Sequence, residues 1–352
     1  MMVIWLLVLI LMIGFRSRIV TFNTHYLSRD TTAAVKGVFI IIVLLSHQRG
    51  YISLGGVLNE IYNWFFVHLG QLMVTMFFFY SGYGCWESFS TKRDYVDSFL
   101  CRRVLKTLVH FDIAVALYVL VDFVLKIKYP LKNYLFCWIG WESVGNSNWF
   151  VFTILLLYMV TWVGFRFFGD RELICLMIIG GLCILIMVVL YAAGKEAWWY
   201  NTALCCPLGM IYSRVRNRVE KMIANAYLYW PGLLMTCIIF GALYLRGGAI
   251  LYPLCACVFC LIIVSVTIKF DFGNPVLIWL GNHLFEIYIL QRIPMIILSE
   301  LSVKEPMIFT LLTLILTLVM AEVFQKGIEW FDNSLFRRTN QCINNNLNGE
   351  SR

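Results

Sequence analysis

Apolar runs of about 17 to 25 residues recur along the chain, separated by short polar segments that hold most of its lysines and arginines. A run of that length crosses the roughly 30 Å hydrocarbon core of a bilayer as an α-helix. The pattern predicts spans near 32–48, 64–86, 105–125, 148–166, 172–193, 201–213, 227–245, 249–268, 276–298 and 307–325, after a shorter opening run at Met1–Phe15. That makes about ten or eleven helices. The opening run has no basic stretch before it and no small-residue cleavage site after it, which reads as an anchor rather than a removed signal. We expect an all-α polytopic membrane protein, its helices in one bundle, with an anchor and basic loop at 1–28, a transmembrane domain at 29–325 and a polar tail at 326–352. The asparagine-rich end, Asn340–Arg352, is expected to be disordered.

Composition agrees with the pattern: 61% of the 352 residues are hydrophobic and only 14% are charged, too little polar surface for a water-soluble globule. The net charge of +8 would suggest nucleic acid if it formed one patch. Instead it alternates between loops. With the N-terminus outside, the cytoplasmic segments hold Arg16, Arg18 and Arg29, then the cluster from Lys92 to Lys106, then Arg166 and Arg171, then Arg214 to Lys221, Lys269, and Arg337 with Arg338. The other side holds Arg49, Lys195, Arg246 and Lys304, and against the rule Lys126, Lys128 and Lys132. No repeat of 20 to 50 residues is visible.

The 12 cysteines lie almost entirely inside apolar runs, where cysteine serves as a small hydrophobe. Cys255, Cys257 and Cys260 have no histidine or acid nearby to complete a zinc site, so no metal is expected.

Two residues break the apolar pattern most sharply. Lys36 and His47 lie in one predicted helix, and eleven steps of about 100° return the chain to nearly the same face, roughly 16 Å along the axis. Ionisable groups at such depth mark function unless a partner or the headgroups satisfy them. Lys36 alone could snorkel to the interface. His47 is a ready proton acceptor if its surroundings are dry. Thr31 and Thr32 are placed to cap this helix close to Lys36.

Further on, Arg102, Arg103 and Lys106 enter the next span, with Arg103 and Lys106 three apart as on one helix face. Positive-inside anchoring accounts for them. So does a cradle for phosphate oxygens. Ser81, Gly82 and Gly84 allow close helix approach. Glu286 lies in a predicted span and could partner His47 or Arg292, or form a structural ion pair. Asp112, Asp122, His25, His68, His110 and His283 read as interfacial.

In order along the chain, these stretches resemble the acyltransferase-3 family of membrane-bound acyltransferases, which O-acetylate bacterial polysaccharides. The family has a basic residue, ten residues and then histidine, matched by Lys36 and His47. Its Phe-Phe-x-x-Ser-Gly stretch is matched by Phe78-Phe79-Tyr80-Ser81-Gly82, with one residue fewer between Phe and Ser when Phe79 is taken as the anchor. Its Arg-x-x-Arg pair is matched by Arg103 and Lys106, and its middle Trp-Phe by Trp149-Phe150. Its late Leu-Gly…Ile-Tyr-Leu-x-His pattern is matched from Leu280-Gly281 to Ile287-Tyr288, with Gln291 where many members have histidine.

The resemblance implies acetyl-CoA or another acyl-CoA as donor and a hydroxyl of a cell-surface or lipid-linked glycan as acceptor, in the bacterial inner membrane with a cytoplasmic C-terminus. It makes His47 a general base. Lys36, Arg102, Arg103 and Lys106 become ligands of the acyl-CoA phosphates or carbonyl, with Ser81 beside them. Ser81, Asn148 and Tyr288 become groups that orient the histidine or hold the oxyanion, and Trp149, Glu286 and Gln291 line the substrate site. Glutamine at 291 can hydrogen-bond but cannot serve as a base. The competing readings are a glycan or lipid carrier that uses the same intramembrane polar residues, and a membrane scaffold, which leaves Lys36 and His47 unexplained.

Overall fold

The computed structural model describes residues 18–19, 22–53, 55–223, 226–248, 250–271 and 273–349. The anchor expected at Met1–Phe15 lies outside them. The elements are helices joined by short loops, with one antiparallel bridge pairing β1 (Arg18–Ile19) to β2 (Phe270–Asp271). Among the described residues, eight helices are long and apolar enough to cross a membrane.

Helix α1 (Arg29–Gln48) starts earlier than the threonines suggested. Ser28 is the N-cap: its Oγ accepts from the Thr31 amide at 3.2 Å and donates to Thr31 Oγ1 at 3.1 Å. Lys36 therefore sits seven residues into the helix, about 10 Å from its start.

The span expected at 64–86 is two helices, α2 (Gly56–Leu69) and α3 (Leu72–Thr91), parted at Gly70, whose φ of +48° suits only glycine. After the short α4 (Tyr95–Phe99), a π-helical turn at Leu100–Leu105 leads into α5 (Lys106–Leu125). Then come α6 (Leu131–Phe136), α7 (Trp149–Phe168), α8 (Glu172–Ala192), α9 (Cys205–Ile223), α10 (Ala226–Arg246) and α11 (Leu251–Lys269).

Two expected spans differ in kind. The segment read at 201–213 belongs to α9, whose second half carries Arg214, Arg216, Arg218 and Lys221 and is too polar to count as an apolar span. The segment read at 276–298 is broken into α12 (Pro275–Asn282), α13 (Leu284–Leu290) and α14 (Arg292–Glu300). Pro294 has no N–H to offer the Leu290 carbonyl, so the helical ladder loses a bond next to Gln291. Broken backbone at membrane depth is tolerated where it lines a cavity or is buried in protein. The last helix, α15 (Pro306–Gly349), continues to Gly349 into the polar stretch expected to be disordered, because extending an existing helix avoids the cost of a new nucleus. Asp332, placed by the sequence in a polar tail, reaches back into the bundle to Lys106 and His110.

Two crossings bring backbones into contact. A Cβ at Gly37 of α1 would strike the Leu277 carbonyl of α12, and one at Gly281 of α12 would strike the Ala33 carbonyl of α1. Gly82 of α3 and Gly209 of α9 are reciprocal in the same way, against Cys206 and against Phe79 with Tyr83. Small residues at such crossings let dispersion act over the full helix surface, which drives association where lipid removes the hydrophobic drive. Gly84 has open space at its Cβ position and plays no part in this packing.

Charge sorts to one end of the bundle, which we call the basic end. There Lys106 pairs with Asp332, Arg166 with Asp97 and Arg214 with Glu172, close to the Arg29 end of α1. At the opposite end, Lys132 pairs with Glu142 at 3.6 Å. Lys195 there lies 3.9 and 4.2 Å from the ring centroids of Trp141 and Trp199 and donates to the Trp141 carbonyl at 2.8 Å. Burial is the largest influence on Lys195 and lowers its pKa.

Candidate active site

The carboxyl end of α1 carries His47 into a cavity of about 320 Å³ lined by the ends and breaks of several helices. Ser46, His47 and Arg49 come from α1 and the residue after it, and Gln71 and Met73 from the α2–α3 break. Trp149 comes from the start of α7, Trp198 from the α8–α9 connection, and Tyr288 and Arg292 from the α13–α14 break. Both broken segments thus contribute to one cavity. Among its lining residues are two guanidinium groups and no carboxylate.

Three aromatic rings back the imidazole in a chain. Its ring meets Tyr288 edge-on at 6.1 Å, Tyr288 meets Phe150 at 5.0 Å, and Phe150 meets Phe78 at 4.8 Å. The chain joins α1, α13, α7 and α3, and explains why the Phe78-Phe79 and Trp149-Phe150 stretches matter locally. Tyr288 is wholly buried, and its hydroxyl, near the Phe150 backbone, makes no hydrogen bond of good geometry. Ser147 Oγ stands 3.5 Å from His47 Nδ1, at the outer limit of a hydrogen bond. Gln291 is also wholly buried. Its Nε2 donates to the Tyr288 carbonyl at 3.1 Å, while its carboxamide faces His47 with Oε1 unpartnered.

About 16 Å back along α1 lies a second polar centre. Lys36 is half-buried, with Arg29 and Arg103 as its charged neighbours. Arg103 stacks over Tyr158 at 5.9 Å and lies against Tyr95, and Tyr158 shares a 2.9 Å hydrogen bond with Ser81. Neither Lys36 nor Arg103 joins an ion pair among the described residues. Two sheltered cations with no acid beside them make a locally positive environment, which favours anions.

Several sequence candidates are placed differently. Lys106 pairs with Asp332 at 2.5 Å instead of joining Arg103, and the π-helical turn between them, with its i→i+5 bonds, departs from the i, i+3 face of an α-helix. Arg102 is exposed. Asn148 spends its side chain on the Gly140 carbonyl, 2.7 Å away, and so fixes the loop that presents Ser147. Glu286 reaches neither His47 nor Arg292. It is buried with one oxygen unpartnered, and its charged neighbours are His283, Glu329 and Lys106. His110 is no lone interfacial histidine, since its Nε2 lies 3.1 Å from Asp332.

Ser147, Gln71 and Arg49 were not foreseen as site residues. Ser147 alone left a local signal, its place just before the Trp149 helix start. No group of three or more metal-binding side chains occurs among the described residues.

No curated protein and no solved structure matches the chain. A family model described as an acyltransferase domain does match, over residues 33–324, which takes in α1, the cavity and both polar centres. The chain is therefore a multi-pass membrane acyltransferase and belongs to the acyltransferase-3 family.

Proposed function

We propose that the protein is an O-acyltransferase that moves an acyl group, most simply acetyl, from cytosolic acyl-CoA to a hydroxyl of a cell-envelope polysaccharide or lipid-linked glycan. The observation that carries this reading is one helix with a histidine in a cavity at one end and an unneutralised pair of cations at the other. We read the basic end, by the positive-inside rule, as facing the cytosol of a bacterial inner membrane, with the C-terminus on the same side. Lys36 and Arg103 then bind the phosphates of the donor, and Ser81 steadies Tyr158 beneath Arg103. Lys106 and Arg102 contribute to the field of that entrance rather than to direct contacts.

In the reaction, His47 takes the proton of the acceptor hydroxyl as its oxygen attacks the thioester carbonyl. The carbonyl oxygen gathers negative charge, and the Tyr288 hydroxyl is the nearby donor with hydrogen-bonding capacity to spare. Collapse of the adduct breaks the carbon–sulfur bond. The departing thiolate takes the proton from the imidazolium, giving free CoA and the ester. Gln291, in the place of a family histidine, holds the His47 ring in position but accepts no proton.

The test is transfer from labelled acetyl-CoA by purified protein in nanodiscs, wild type against His47→Ala. A general base contributes about 10²–10⁴ in rate, so the variant should lose that much in kcat. Unchanged turnover in the variant removes His47 as base. Wild-type protein that binds no acyl-CoA at all overturns the enzyme reading in favour of a carrier.

A further inference from the structure

Arg49 and Arg292 have no role in the chemistry above, yet both line the His47 cavity. Each is only partly exposed, and each has a buried Nε–H without a hydrogen-bond partner. Arg49 makes one long bond to the Asn63 carbonyl, 3.4 Å, and lies 5.8 Å over the Phe66 ring. Neither guanidinium forms an ion pair among the described residues. A sheltered charge without a partner is costly, and an arriving counter-charge relieves that cost.

Two indoles stand beside them. Trp149 and Trp198 line the same cavity, and Trp198 is 45% exposed. An indole offers a broad apolar face with one polar edge, which suits the apolar face of a sugar ring. Gln71 adds a buried carbonyl oxygen without a partner, an acceptor for a sugar hydroxyl.

Resting on the acyl-transfer reading, we infer that the acceptor is an anionic glycan. Its sugar ring packs on Trp198 and Trp149, and a carboxylate or phosphate on or beside that sugar is clamped by Arg49 and Arg292 near His47. Guanidinium forks bind both groups bidentately, so the shared chemistry is a planar or tetrahedral oxyanion next to the acylated hydroxyl.

Binding to the purified full chain in nanodiscs is measured directly, with three probes: a neutral glucose oligomer, an oligogalacturonate and a glycerol-phosphate oligomer. At least one anionic probe should bind ten-fold or more tighter than the neutral one, and which one does so distinguishes carboxylate from phosphate. Raising NaCl from about 0.05 to 0.5 M should weaken that binding several-fold while leaving the neutral probe unaffected. Arg49→Gln with Arg292→Gln should erase the preference, and Arg292→Lys should retain part of it. Equal or tighter binding of the neutral oligomer, or salt-independent binding of all three, overturns the inference even if the double variant fails to fold. His47→Ala separates the two readings: it should lower transfer about 10²–10⁴-fold while anionic binding persists.

Discussion

Replacing Arg103 with glutamine tests which cations receive the donor. Arg103 is half-buried, stacked on Tyr158 and without an acid, whereas Lys106, three residues on, is 44% exposed and already held by Asp332. A hydrogen bond to a charged group contributes about 1.5–3 kcal/mol. At about 1.36 kcal/mol per factor of ten, its loss raises the acyl-CoA KM about 10- to 150-fold. If the arginine binds phosphate equally in ground and transition states, kcat stays within a few-fold. Lys106→Met removes one partner of a part-exposed pair, which costs roughly 0–1 kcal/mol of stability and leaves KM within about two-fold. The assay is initial rates of labelled acetyl-CoA turnover across a donor titration, with thermal unfolding of each variant as control. An unchanged KM in Arg103→Gln, or an equal rise in Lys106→Met, refutes the assignment.

Gly37→Ala or Gly281→Ala places a methyl against the opposing backbone and should cost about 1–3 kcal/mol or more, read as a lowered melting temperature, while Gly84→Ala should be neutral. Gln291→Leu removes the buried carboxamide beside His47 and should lower kcat several-fold with donor KM unchanged; an unaltered kcat would count against an orienting role. Lys195→Met, measured by thermal unfolding, should destabilise by about 1–2 kcal/mol through its loss from between Trp141 and Trp199.

The α1 site was legible because its two key residues share one helix: the spacing of Lys36 and His47 fixes both their common direction and their separation. The apolar runs likewise announced most of the helices. What could not be read depended on contacts between distant segments. Whether Arg103 and Lys106 face together turns on a π-helical turn that leaves no mark in residue spacing. Asn148 and its neighbour Ser147 exchange roles because the Asn148 amide finds Gly140 across a loop. The break at Gln291 had a signal in Pro294, but the length of the apolar run concealed it. Asp332 looked like part of a tail because hydropathy does not report that a charge folds back onto Lys106.

The reciprocal glycine contacts between α1 and α12 have a mechanical consequence. Backbones that touch at Gly37 and Gly281 leave no slack for sliding, so the two helices must move as one solid piece. His47 rides on that piece, whereas Gln291 lies beyond it, past the break at His283 and at the α13–α14 break itself. Ser147 and Trp149 belong instead to the loop and helix start across the cavity. Breathing of the site therefore changes what the histidine faces on the acceptor side.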